Sequence, residues 1–156
     1  MKHSLFVFLS IIFLFDFNQD LFGQTGTTVK VKMENLTTDA QESYKIVFQV
    51  ASDDTLVHKS LMRQLGNITS VDPHLKIEVV CHGPGIDLLH KEKSHFGAKV
   101  KDYVDKGITF NACEFTLKQQ NISKDQIIPE AKFVRSALLH IVKLQTEGWS
   151  YIKSGF

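Results

Sequence analysis

The sequence predicts an α/β domain: a parallel β-sheet with helices packed on both faces. Three observations carry this. Short β-branched and aromatic runs alternate with runs of helical period, in the order β-α-β-α-β-α-β-α-β. The strand runs, Ile77-Glu78-Val79-Val80 for example, lack the strict polar alternation of a half-solvated sheet. Capping and turn residues separate almost every pair of elements.

Tyr44–Val50 (YKIVFQV) is the first strand, dense in residues that fit a pleated sheet. Ser52, Asp53 and Asp54 supply a helix cap and acidic first-turn residues. Val57, Leu61, Leu65 and Ile68 follow at helical spacing, and Asp72-Pro73 ends that helix. Leu75–Cys81 is the second strand, followed by the turn His82-Gly83-Pro84-Gly85 and a turn or two of helix over Ile86–His90. Ser94 is expected to cap the next helix, whose apolar face is Phe96, Val100, Tyr103 and Val104, with Gly107 as its stop. Ile108–Cys113 is the third strand, Glu114–Gln120 a short helix, and Ala131–Arg135 the fourth strand. Ser136 opens a helix that Gly148 ends, and Trp149–Ile152 is the last strand. That helix carries Leu138, Leu139, Ile141, Val142 and Leu144, an apolar arc wider than one sheet-facing stripe needs, so subunit association is expected.

In parallel sheets, ligands bind beyond the carboxyl ends of the strands. Those ends hold Ser52-Asp53-Asp54, Cys81 through Gly85, Asn111-Ala112-Cys113 and Arg135-Ser136. The chain's two cysteines therefore both fall on the functional rim. Cys113 sits where a strand gives way to a helix, and a thiol at a helix start is favoured as thiolate, the nucleophilic form. Cys81 sits one strand earlier, before a glycine-rich turn whose backbone could approach an anion. Adjacent strands lie about 4.8 Å apart, within the Cα separation a disulfide spans, so a Cys81–Cys113 pair is sterically conceivable if the strands are neighbours. The expected site is thus Cys113 as nucleophile, Cys81 as a possible resolving thiol, and His82, Gly83, Pro84, Gly85 and Asn111 as anion ligands.

Composition limits the alternatives. The 156 residues are 43% hydrophobic and 22% charged, the balance of a globular domain. Lys and Arg number 18 against 17 Asp and Glu, which removes the electrostatic case for nucleic acid or an anionic membrane surface. Two cysteines cannot make a four-thiolate metal site. The seven histidines, His82, His90 and His95 among them, show no metal-ligand spacing, so no metal and no cofactor is expected. Nucleotide-binding glycine loops and the serine-hydrolase elbow are absent.

Residues 1–23 are read apart from the fold. Leu5–Phe15 is an apolar run broken only by Ser10, preceded by Lys2 and cut short by Asp16 and Asp20. It is too short to span a bilayer and fits a secretory signal peptide cleaved near Gly23, the alternative being an uncleaved membrane anchor. Residues 24–43 are polar and read as a linker, leaving a single domain over 44–153. An exported protein, periplasmic or secreted and free of the membrane after cleavage, is the expectation.

The segments KIVFQVASDD (45–54), KIEVVCHGPGIDLL (76–89), GITFNACEFTL (107–117) and ALLHIVKLQTEGWSYIK (137–153) resemble the DsrE/DsrF-like family, in its exported single-domain branch. The resemblance runs in order from Tyr44 to Lys153. It implies a three-layer α/β/α sandwich on a five-stranded parallel sheet and a homo-oligomer, trimeric or hexameric. It also implies sulfur handling: a rim cysteine, matching Cys113, accepts sulfane sulfur from a donor as a persulfide and relays it to an acceptor. Such a protein is a sulfur carrier or sulfurtransferase-like protein rather than a turnover enzyme. Cys81 departs from the family pattern, which favours a small residue there. The alternatives on the same fold are a non-catalytic module binding a small anion or nucleotide, and an oligomeric structural protein.

Overall fold

The structure, a computed structural model, describes residues 44–155. The signal peptide and linker expected over 1–43 lie outside the described residues. The elements run β1 (Lys45–Val50), α1 (Thr55–Val71), β2 (Lys76–Cys81), a 3-10 segment (Gly83–Leu89), α2 (Gly97–Asp105), β3 (Thr109–Cys113), α3 (Glu114–Gln119), a 3-10 turn (Lys124–Gln126), β4 (Lys132–Val134), α4 (Ala137–Thr146) and β5 (Ser150–Lys153). The five strands form one sheet in the order β4-β3-β2-β1-β5, and every pairing is parallel.

That order dictates the layers. The chain steps from β1 to β4 in one direction, then returns across the sheet to lay β5 beside β1. Right-handed crossovers put the connections of the outward steps on one face and the returning α4 on the other. The core divides accordingly. On the first face Leu61, Met62 and Leu65 of α1, Val100 and Tyr103 of α2, and Ile86, Leu88 and Leu89 of the 3-10 segment close over Phe48, Val50, Ile77, Val79, Cys81, Phe110 and Ala112. On the second face, among the described residues, α4 packs Ala137, Ile141 and Leu144 onto Val47, Val80 and Cys113, with Val134 and Trp149 against them.

Most boundaries agree with the sequence reading, and the exceptions have local causes. Asp54 caps α1, its carboxylate accepting the Leu56 N–H at 2.8 Å. The second long helix starts at Gly97 rather than after Ser94: the Ser94 hydroxyl accepts the Phe96 N–H at 3.2 Å and closes a turn ahead of the helix instead of capping it. The segment after Cys81 is 3-10 rather than α-helical, with Pro84 at its start. β4 is a three-residue edge strand, and β5 is set one residue later than expected.

The turn after β2 is held by close backbone contact. A Cβ built on Gly85 would stand 2.3 Å from the Val50 carbonyl oxygen and 2.8 Å from the Ala51 nitrogen. Neither can retreat without moving the end of β1. Gly85→Ala is therefore expected to destabilise the fold by about 3 kcal/mol, a melting temperature lower by roughly 10 °C. Thermal denaturation followed by circular dichroism checks this, with Gly97→Ala, where a Cβ meets nothing, as the control.

Candidate functional site

Cys113 closes β3 on the α4 face of the sheet and is the N-cap residue of α3. The chain then returns through β4, and α4 begins at Ala137 directly over the sulfur. The Ala137 N–H donates to Cys113 Sγ at 3.4 Å. This N–H belongs to the first turn of α4, where backbone donors have no partner inside the helix and the helix dipole presents its positive end. The sulfur thus sits where negative charge is stabilised.

Cys81 is placed differently. Its register partner is Ala112, and both belong to the α1 and α2 core, whereas Cys113 pairs in register with Val134. Side chains alternate faces along a strand, so one residue of offset puts the two sulfurs on opposite sides of the sheet. Both thiols are free. The Cys81–Cys113 partnership that the rim position allowed is thus not made, and Cys81 has no geometry for resolving chemistry at Cys113. Burial also pushes the Cys81 thiol far above its ordinary range, so it stays protonated.

The anion cradle expected over His82–Gly85 is likewise corrected. The Gly83 N–H donates to Thr116 Oγ1 at 2.9 Å and the Gly85 N–H to the His82 carbonyl at 3.0 Å. Pro84 has no N–H to offer, so the turn presents no spare backbone donor. Asn111 is buried on the α4 face, and its amide nitrogen donates to Glu78 Oε2 at 2.8 Å, a carboxylate that disfavours a second anion there.

His82 lies at the site as a side chain. It follows Cys81 by one residue, so it stands level with Cys113 on the neighbouring strand and on the same face. Its Nε2 is 2.7 Å from Gln49 Nε2 on β1, and the Tyr151 hydroxyl on β5 donates to Gln49 Oε1. Burial lowers the pKa of His82 below the ordinary imidazole value, so its ring is neutral near pH 7.

A second polar group was missed in the sequence. His140 of α4 and Asn111 both reach Glu78, His140 Nε2 at 2.8 Å from Oε2, tying the helix to the middle of β2 and β3. The signal was a polar residue breaking each of two apolar strands, Glu78 in KIEVVC and Asn111 in TFNAC, which reads as ordinary alternation until the partner on α4 is known. Beside it runs a groove of about 510 Å³ lined by Phe115, Val134, Arg135, Ser136, Leu139, His140 and Lys143. It flanks the β4 side of Cys113, and two cations and a histidine line it with no carboxylate. Among the described residues no three metal-ligating side chains converge, His90 is buried with its Nδ1 accepting the Glu92 N–H, and His95 is exposed.

The thiols differ in access as well as direction, Cys113 being 5% exposed and Cys81 fully buried. Alkylation of the native protein at neutral pH, mapped by peptide mass, should label Cys113 slowly and leave Cys81 unmodified until the chain is unfolded. Labelling of Cys81 at an equal rate would contradict the placement.

Comparison with known proteins agrees with the fold. Among solved structures the chain is similar to MTH1491, a protein of unknown function from Methanobacterium thermoautotrophicum, at 31% identity and a TM-score of 0.68, over 70% of this chain and 98% of that one. It shares its fold with BT1422, a conserved protein of unknown function from Bacteroides thetaiotaomicron, at 15% identity, TM-score 0.59, and 70% and 93% coverage. The ychN protein of E. coli matches at 11% identity, TM-score 0.59, with 70% and 98% covered. No curated protein matches the sequence. The profile of the DsrE/DsrF-like family matches residues 32–154, most of the chain, and with the five-stranded parallel sheet described above it shows that this protein belongs to the DsrE/DsrF-like family.

Proposed function

We propose that the protein is a sulfur carrier that accepts sulfane sulfur on Cys113 and relays it as a persulfide. The observation that supports this most is the Ala137 N–H directed at Cys113 Sγ from the start of α4, because a bound persulfide is anionic and requires donors around it. The deprotonated Cys113 sulfur attacks the outer sulfur of an anionic donor. A bond forms between Cys113 and that sulfur as the donor's own S–S bond breaks, and the donor remainder leaves with the electron pair. An acceptor thiolate then takes the sulfur by the same displacement, so no external oxidant or reductant enters. The groove beside the site has the Arg135 guanidinium in its lining, together with Lys143, whose contact with Glu147 is a loose 3.8 Å, and these two cations suit negatively charged donors.

The same reading includes self-association and export. Leu138, Leu139 and Val142 stand 58%, 71% and 54% exposed on the outer side of α4, a patch that monomers rarely leave open. A trimer or hexamer of an exported chain covers it. Light scattering of the chain lacking residues 1–23 should give a multiple of the protomer mass, and Leu139→Lys should shift it towards the monomer. A monomer at all concentrations would remove this part of the proposal.

Intact-mass measurement tests the chemistry. Protein exposed to thiosulfate or inorganic polysulfide and then desalted should gain sulfur mass on Cys113. Cys113→Ser should gain none while keeping its circular dichroism spectrum, and Cys81→Ala should load like the parent. A Cys113→Ser protein that still loads would place the chemistry elsewhere.

A further inference from the structure

We propose that His82 is held as its Nδ1–H tautomer by Gln49 and Tyr151, and that this N–H is a second donor, with that of Ala137, to the anionic sulfur carried on Cys113. The inference rests on the sulfur-carrier reading above and adds to it a positioning system made of three strands.

The donor sequence runs one way. The Tyr151 hydroxyl donates to Gln49 Oε1, which turns the amide so that Nε2 faces His82. An amide nitrogen only donates, so His82 Nε2, 2.7 Å away, must accept and cannot itself carry a proton. The ring is neutral, as its burial favours, so the proton lies on Nδ1. Among the described residues Nδ1 has no partner.

The backbone beneath the ring is fixed at both ends. The His82 N–H donates to the Val50 carbonyl at 3.0 Å, and the His82 carbonyl accepts the Gly85 N–H at 3.0 Å. The next residue is tied to α3 through Gly83 N–H and Thr116 Oγ1. The imidazole is therefore set by Gln49 on one side and by the β2 backbone below, level with Cys113 across a strand spacing of about 4.8 Å. A donor fixed in advance loses little freedom when charge arrives, which is the condition for stabilising an anion efficiently. The turn thus serves the site through the histidine side chain, its own amides being engaged elsewhere.

Two measurements test this separately. Long-range nitrogen–proton correlation of the histidine rings in the unloaded protein reads the tautomer directly, and His82 should show Nδ1 protonated and Nε2 bare. Exchange of sulfur with glutathione persulfide and glutathione, followed by intact mass, gives an equilibrium constant for loading Cys113. His82→Gln should lower that constant about tenfold, the size of one lost hydrogen bond to a charged group. Gln49→Leu, which keeps the imidazole but removes the group that selects its tautomer, should lower it by less. A protonated Nε2 at His82, or loading constants unchanged in both variants while the parent loads Cys113, would overturn the inference and leave the carrier reading standing. A parent protein that never takes sulfur on Cys113 would overturn the carrier reading, and the inference with it.

Discussion

Side chains alternate faces along a β-strand, and register partners in a parallel sheet share a face. This constraint sorts the chemistry of the molecule. Cys81 faces the core under α1 and α2, and Cys113, one register position further along, faces α4. A single residue separates an inert thiol, sealed and protonated, from one that receives a helix N–H. The same alternation brings Gln49 and His82 to the face that holds Cys113, so three adjacent strands contribute one polar row.

The two faces of the sheet are covered unequally, and the site follows from that. Two helices and the 3-10 segment seal the first face with an apolar core. Among the described residues the second carries α4, which buries Ala137, Ile141 and Leu144. A face with a smaller apolar cluster can hold polar groups that a sealed core could not, since burying an unpaired polar group costs more than a hydrogen bond returns. Glu78, Asn111 and His140 satisfy one another there, and the groove along Arg135 and Lys143 remains open. The helix whose first N–H meets Cys113 Sγ thus also lines this groove, and it carries exposed Leu138, Leu139 and Val142 on its outer side.

Much of the fold was legible in the sequence because its signals are local. Asp54 and Ser136 cap helices as their positions suggest, and both strands that end in cysteine end where expected. The site was harder to read because it depends on parity and on hydrogen bonds between distant segments. That both cysteines end strands was plain, but their opposite directions required the register between β2 and β3. The glycine-rich turn suggested an anion cradle by composition, yet its amides are engaged by Thr116, which is 33 residues from Gly83, and by His82. Gly85 is required by contact with the end of β1, a packing reason that no local pattern reveals. The pairing of Glu78 with His140, 62 residues apart, was out of reach for the same reason.

The central claim is that sulfur is held on Cys113, on the α4 face, with no part played by Cys81. A crystal structure of the protein after exposure to a sulfane donor tests it most directly. The account predicts density for an added sulfur on Cys113 Sγ, facing the Ala137 amide and the His82 ring, with Cys81 unmodified beneath α1 and α2. Added sulfur on Cys81, or a bond between the two cysteines in the folded chain, would contradict it.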